Sequence, residues 1–256
     1  MERMVLNVYK KRGETPLETI MRVKKTLKEK GEKFTYAGRL DPLAEGVLIL
    51  LSGKDIKKKE KFLVLPKVYT AEIVFGFATD TYDILGLPLK PTSVKYAEIL
   101  TKNSIIEFSK TLEGEITLPY PPFSSKPVLG RPLFLWARSF LTPLSVIPKN
   151  KTRVEQIDVL ELSSITANEL FKDVVRITDL VSGDFRQERT KEKWLSMLST
   201  NQAKTFQVAK IRFGVSSGTY IRSLANLIGE HFGQGACIIK LVRESVGKYK
   251  INEAIN

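Results

Sequence analysis

The 256 residues include 41 Lys and Arg against 28 Asp and Glu, a formal charge of +13, and 43% of them are hydrophobic. That apolar share can fill a substantial core in one large domain, and the charge excess opposes compaction unless a polyanionic partner offsets it, which argues against small cationic or neutral substrates. A single cysteine, Cys237, and a single histidine, His231, exclude a disulfide framework and a zinc cluster.

Residues 1–67 hold 17 Lys and Arg against 9 Asp and Glu, +8 of the total, so the basic surface is regional. Nucleic acid is its first candidate partner and an anionic membrane surface the second. No apolar run approaches the length that spans a bilayer, and the charged start MERMVLNVYKKRG lacks the apolar stretch of a signal peptide. The default expectations are a cytoplasmic location, no membrane partner and a monomer.

In chain order, residues 4–9 read as a short strand. Thr15-Pro16 then opens a helix, with Thr as N-cap, Pro at the first helical position and Leu17, Ile20, Met21 and Leu27 on one face. GVLILLS at 46–52 is a continuous apolar run, the pattern of a strand buried on both faces, and the following KDIKKKEKFL reads as a basic helix. Tyr69, Ala71, Ile73 and Phe75 alternate with Val68, Thr70, Glu72 and Val74, predicting a strand with one apolar face. Prolines at 119, 121, 122, 127 and 132 favour an extended loop across 117–135. Residues 172–203 read as a partly helical, polar, inserted subdomain. Ala209, Ile211, Phe213 and Val215 repeat the strand alternation, and a helix from about Tyr220 to Phe232 follows, with His231 near its C-terminus. Irregularly mixed elements without βαβ alternation predict an α+β fold around a mixed, largely antiparallel sheet.

Walker A, GxGxxG, HExxH, GxSxG and CxxC patterns are absent, which disfavours nucleotide-dependent and metal-dependent chemistry. The segment Tyr36 to Gly46 (YAGRLDPLAEG) instead places Asp41 before a proline, just ahead of the buried strand. On local chemistry alone its simpler reading is an Asp-Pro turn.

Five segments in succession change that reading: GRLDPLAEGVL (38–48), KVYTAEIVFGFATDTYDILG (67–86), LPYPPFSSKPVLGRPLFLWAR (118–138), VSSGTYIRSLANLIG (215–229) and LVRESVGKY (241–249). Together they resemble the TruB-type tRNA pseudouridine synthases, the tRNA pseudouridine-55 synthase family. The likeness spans residues 4–250 in outline and thins between 139 and 205. It implies a pseudouridine synthase catalytic domain over 1–256, with 117–140 as a proline-rich substrate loop and 172–203 as an inserted polar segment. It further implies that the small C-terminal RNA-binding (PUA-type) domain of many relatives is not part of this sequence.

The resemblance assigns Asp41 as the catalytic carboxylate and Arg222 as its ion-pair partner. Tyr69 becomes the ring stacked on the target base, and Tyr220, Leu241 and Tyr36 become further substrate contacts. The implied activity is isomerisation of uridine 55 in the T loop of tRNA, with the T-arm as partner and neither cofactor nor metal. These residue types suit it. Breaking the glycosidic bond and rejoining the base through carbon requires an ionised carboxylate as nucleophile or base, and a neighbouring guanidinium favours the charged form. Aromatic rings can hold a base that has left its stack. Tyr36 stands where the family usually has histidine, Arg39 replaces a small residue, and Ser217 replaces a frequent lysine. These departures leave open another structured RNA as substrate, and the charge pattern equally fits a non-catalytic RNA-binding or RNA-folding protein.

Overall fold

Nine strands gather into one sheet because the strand segments alternate apolar and polar residues or are apolar throughout; the computed structural model of the chain describes residues 4–28, 31–89, 100–139, 147–199 and 204–256. In chain order the elements are β1 (Met4–Lys10), α1 (Pro16–Thr26), β2 (Phe34–Ala37), β3 (Ala44–Ser52), α2 (Lys59–Leu63), β4 (Lys67–Phe75), β5 (Ala78–Thr79) and β6 (Pro88–Leu89). Then come α3 (Lys102–Thr111), β7 (Gly114–Pro119), β8 (Pro127–Val128), β9 (Arg131–Pro132), α4 (Leu133–Arg138), β10 (Lys149–Thr166) and α5 (Ala167–Leu180). The last are α6 (Gln187–Leu198), β11 (Thr205–Val215), α7 (Ile221–His231), β12 (Ala236–Val246) and β13 (Tyr249–Lys250). The sheet runs β1-β3-β12-β4-β11-β10-β7, with β2 also on β3 and β13 on β12. Among these pairs only β3 with β12 is parallel, so the fold is α+β with a mixed, largely antiparallel sheet.

The unbroken apolar run of β3 has two cores to fill. Leu48 and Leu50 pack with Val8 and the α1 residues Ile20 and Val23, while Val47, Ile49 and Leu51 pack with Ala37, Val246 and the residues of α2. The main core lies on the apolar face of β4 and β11, covered by Leu224, Ala225 and Ile228 of α7. The opposite face is polar; there Arg212 pairs with Glu244 at 2.9 Å, and Thr70 donates to the same carboxylate at 2.6 Å.

Helix α1 begins as predicted. Thr15 accepts from the Glu18 backbone N–H, and the Glu18 carboxylate accepts from the Thr15 N–H. Its buried stripe differs from the expected one: Pro16, Thr19, Ile20 and Val23 face inward, whereas Leu17 and Met21 are 63% and 60% exposed. The helix is rolled by about one residue, because it packs across β1 and β3 through positions spaced i, i+3, i+4 and i+7. The basic stretch after β3 is not one helix. It forms a 3₁₀ turn over Gly53–Lys58 and only then α2.

The proline-rich stretch is extended as far as Pro132, with a β8–β9 hairpin, but LFLWAR carries no proline and winds into α4. Position 140 of that stretch lies outside the described residues. Within 172–203, the last four positions are likewise outside. The rest forms the end of α5 and all of α6, placed between neighbouring strands β10 and β11, and Val174, Ile177, Trp194 and Leu198 enter the main core, so the segment is packed onto the sheet and does not stand apart from it. Among the described residues, no helix is long and apolar enough to cross a membrane.

The parallel β3–β12 contact sets a tight backbone requirement. Gly46 faces Arg243, has φ +107, and a Cβ there would lie 2.3 Å from the Arg243 carbonyl oxygen. Gly46→Ala is therefore expected to cost about 2–4 kcal/mol of stability, read from urea unfolding. Unchanged unfolding would contradict this register.

Candidate active site

Four chain segments distant in sequence meet at one end of the sheet around a cleft of about 540 Å³. The loop before β3 brings Asp41. In it Gly38 has φ +81, the Pro42 carbonyl accepts from the Gly13 N–H at 2.8 Å and the Asp41 backbone carbonyl accepts from the Ala44 N–H at 3.0 Å, turning the chain straight into the buried strand. β4 and β12 contribute the floor, Tyr69 and Leu241, each nearly buried on adjacent strands. The start of α7 contributes Tyr220 and Arg222.

Arg222 is buried, and one of its terminal nitrogens lies 2.8 Å from Oδ2 of Asp41, whose side chain keeps a third of its surface exposed. The guanidinium also donates to the carbonyls of Thr81 at 2.7 Å and Phe123 at 3.3 Å, and its Nε lies 3.8 Å from Oδ2 of Asp83. Burial works against its charge, but the carboxylates of Asp41 and Asp83 more than offset that and hold its pKa above the usual arginine range. For Asp83 the balance is reversed. Burial pushes its carboxyl up to about 6 despite Arg222 and hydrogen bonds from the Thr81 hydroxyl (2.7 Å) and the Leu85 N–H (3.1 Å).

All six residues singled out from the sequence, Asp41, Arg222, Tyr69, Tyr220, Leu241 and Tyr36, line this one cleft. Tyr220 packs edge-on against Tyr120 with centroids 5.4 Å apart, and burial, reinforced by Asp41, pushes its phenol up to about 12. Tyr36 sits at the mouth, where its hydroxyl accepts from Arg39 at 3.1 Å and Lys59 lies 5.5 Å from its ring. Exposed Lys54, Lys57, Lys58 and Lys61 continue the positive surface outward from there.

Two buried cations that the sequence reading passed over shape the Asp41 loop. Arg243 is 1% exposed and donates to the carbonyls of Val47 (2.6 Å), Gly38 (3.0 Å) and Arg39 (3.4 Å), and it reaches the Tyr69 hydroxyl at 3.5 Å. Lys10, fully buried, donates to the Ala44 carbonyl at 2.5 Å, and burial lowers its pKa to about 8 although Asp41 and Glu14 favour its charge. For Arg243 the available signal was a charged residue among the apolar positions of β12, and for Lys10 a charged residue at the very end of β1. Such residues are rarely buried unless paired, so each implied a tether.

The profile of the TruB family pseudouridylate synthase (N terminal domain) matches residues 24–175. The chain belongs to this TruB family. Among curated relatives, tRNA pseudouridine synthase B of Clostridium acetobutylicum is 30% identical over 98% of this chain and 70% of its own length. The enzyme of the same name from Aquifex aeolicus is 29% identical over 98% of this chain and 71% of its own length. Among solved structures, an H/ACA RNP bound to a substrate RNA containing 2'-deoxyuridine superposes with a TM-score of 0.55 at 22% identity, over 96% of this chain and 48% of that one. A Cbf5-Nop10-Gar1 complex gives 0.55 at 23% identity, over 96% and 49%. The TruB-family chain thus shares the pseudouridine synthase fold and spans about half the length of those structural neighbours.

Proposed function

We propose that this protein converts uridine to pseudouridine in tRNA, at uridine 55 of the T loop, with Asp41 as the carboxylate that attacks the nucleoside or removes its proton. The observation that carries the reading is the Asp41–Arg222 pair, 2.8 Å apart in an aromatic-lined, cation-rimmed cleft of a TruB-family chain. Similarity along 98% of the chain to enzymes named tRNA pseudouridine synthase B supports tRNA as the substrate class.

The residues divide the work. Arg222, fixed by Asp83 and two backbone carbonyls, pairs with the Asp41 carboxylate and holds it in one direction. Tyr69 presents a ring for an extruded uracil, Leu241 and Tyr220 close the pocket around it, and base stacking of this kind contributes roughly 1–3 kcal/mol. Tyr36, Arg39 and the lysines after β3 meet the RNA backbone outside, where each phosphate contact adds affinity and salt dependence. The same chemistry on another structured RNA is the second reading, favoured by the Tyr36–Arg39 contact at the mouth.

A tRNA transcript labelled with tritium at uracil C5 tests the assignment. Label is expected to be released by the protein and to stay in place when the T-loop uridine is replaced by cytidine. Release that survives this replacement points to another uridine, and no release from any RNA would reject the activity.

A further inference from the structure

β10 and β11 pair, across two register shifts, as far as Thr166 opposite Thr205, where a short turn could join them. The chain instead leaves for α5 and α6, an excursion that the chemistry above does not use. Its tip nevertheless reaches the cleft, where Phe185 and Arg186 form part of the lining. Arg186 donates to the two carboxylate oxygens of Asp80 at 2.7 and 3.2 Å, and its guanidinium lies 4.4 Å from the Phe123 ring centroid. Two residues earlier, the Asp184 carboxylate pairs with Arg138 of α4 at 3.1 Å, and the Asp184 carbonyl accepts from the same guanidinium. The tip therefore grips the proline-rich segment near both ends, at Phe123 and at Arg138. Phe123 is also the residue whose carbonyl receives Arg222.

Local preferences have been set aside to make this grip. Arg186 occupies the N-cap position of α6, where Ser, Thr, Asp or Asn would cap the helix; it makes no capping bond and takes a left-handed conformation with φ 59 and ψ 33. Gln187 ties the turn before the helix by donating to the Val181 and Gly183 carbonyls and accepting from the Phe185 N–H. Buried Trp194, donating to the Gly86 carbonyl at 3.1 Å, seats α6 on the body of the protein, so the tip is presented from a fixed base.

We infer that the α5–α6 tip is a clamp that sets the proline-rich segment in its RNA-receiving arrangement before RNA arrives, with Asp184 and Arg186 as positioning residues. The inference rests on the functional reading above, in which that segment is a wall of the RNA cleft. A wall already in place spares the ordering cost that a loose one would exact on binding. Arg222 keeps its shorter bond to the Thr81 carbonyl and its Asp83 partner whether or not Phe123 is gripped, so the clamp acts on KM and not on the chemical step.

The test compares wild type with Arg186→Gly, which keeps the left-handed backbone without strain, Asp184→Ala at an exposed site, and Arg186→Lys as the conservative variant. With tRNA, the first two are expected to raise KM about tenfold and to leave kcat within about twofold, with Arg186→Lys intermediate. Without RNA, hydrogen exchange at the amides of 123–138 is expected to quicken by about tenfold in the same two proteins. Exchange unchanged in both overturns the clamp, as does faster exchange with an unchanged KM or an effect confined to kcat. Because exchange is read on the free protein, a wild type inert towards tRNA would reject the functional reading alone and leave the clamp to be judged by exchange.

Discussion

An Asp41→Asn protein is expected to bind tRNA as tightly as wild type and to release tritium at least about 10³-fold more slowly. Asparagine matches aspartate in shape, and its amide oxygen can still accept from Arg222, so the loop anchored by Gly38, Pro42 and Ala44 keeps its path. What disappears is the negative charge, and a neutral amide neither attacks a nucleoside nor removes a proton. Gel-shift titration and label counting on one preparation separate the two effects. Turnover within about tenfold of wild type would remove Asp41 from the chemistry, and a parallel loss of binding would make it a structural residue.

Arg222→Met is expected to lose both turnover and stability. The guanidinium is 4% exposed and stands between Asp41 and Asp83; its removal leaves Asp83, equally sequestered, without a counter-charge. Breaking a buried pair in this way costs about 3–5 kcal/mol, and the Asp83 carboxyl, already pushed up to about 6, can limit the cost by taking a proton. Adding Asp83→Asn to Arg222→Met is therefore expected to recover much of the stability and none of the activity, since nothing then directs Asp41. Chemical unfolding and tritium release measured on the single and double variants decide it. Recovery of turnover in the double variant would show that Arg222 serves the fold alone.

Much of this site could be read from the sequence, because the loop that carries Asp41 and the segment that carries Arg222 keep the spacing of their family. Tyr69 was legible for a second reason. It falls on the apolar phase of a predicted strand, whereas Leu241 was named by the resemblance alone, and the pairing of β4 with β12 brings the two together in the cleft. The rolled face of α1 was not legible, since Leu17 and Met21 are as apolar as Ile20 and only the direction of β1 and β3 beneath them decides which are covered. Nor were the tethers. Arg243 gains its meaning from the carbonyls of Gly38 and Arg39, roughly two hundred positions away, and no local pattern encodes that contact. The α5–α6 excursion was visible as an inserted polar segment, but its hold on Phe123 and Arg138 belongs to tertiary structure.

The parallel seam between Ala44–Gly46 and Leu241–Arg243 also bears on when the enzyme comes into being. During synthesis the early strands can pair, but the Asp41 loop gains its Arg243 tethers only once a strand roughly two hundred residues later has emerged. Contacts of such long range form slowly. A nascent chain that has not yet presented β12 lacks both the parallel partner of β3 and the Arg243 tethers of the Asp41 loop, so uridine isomerisation is expected only after β12 has taken its place between β3 and β4.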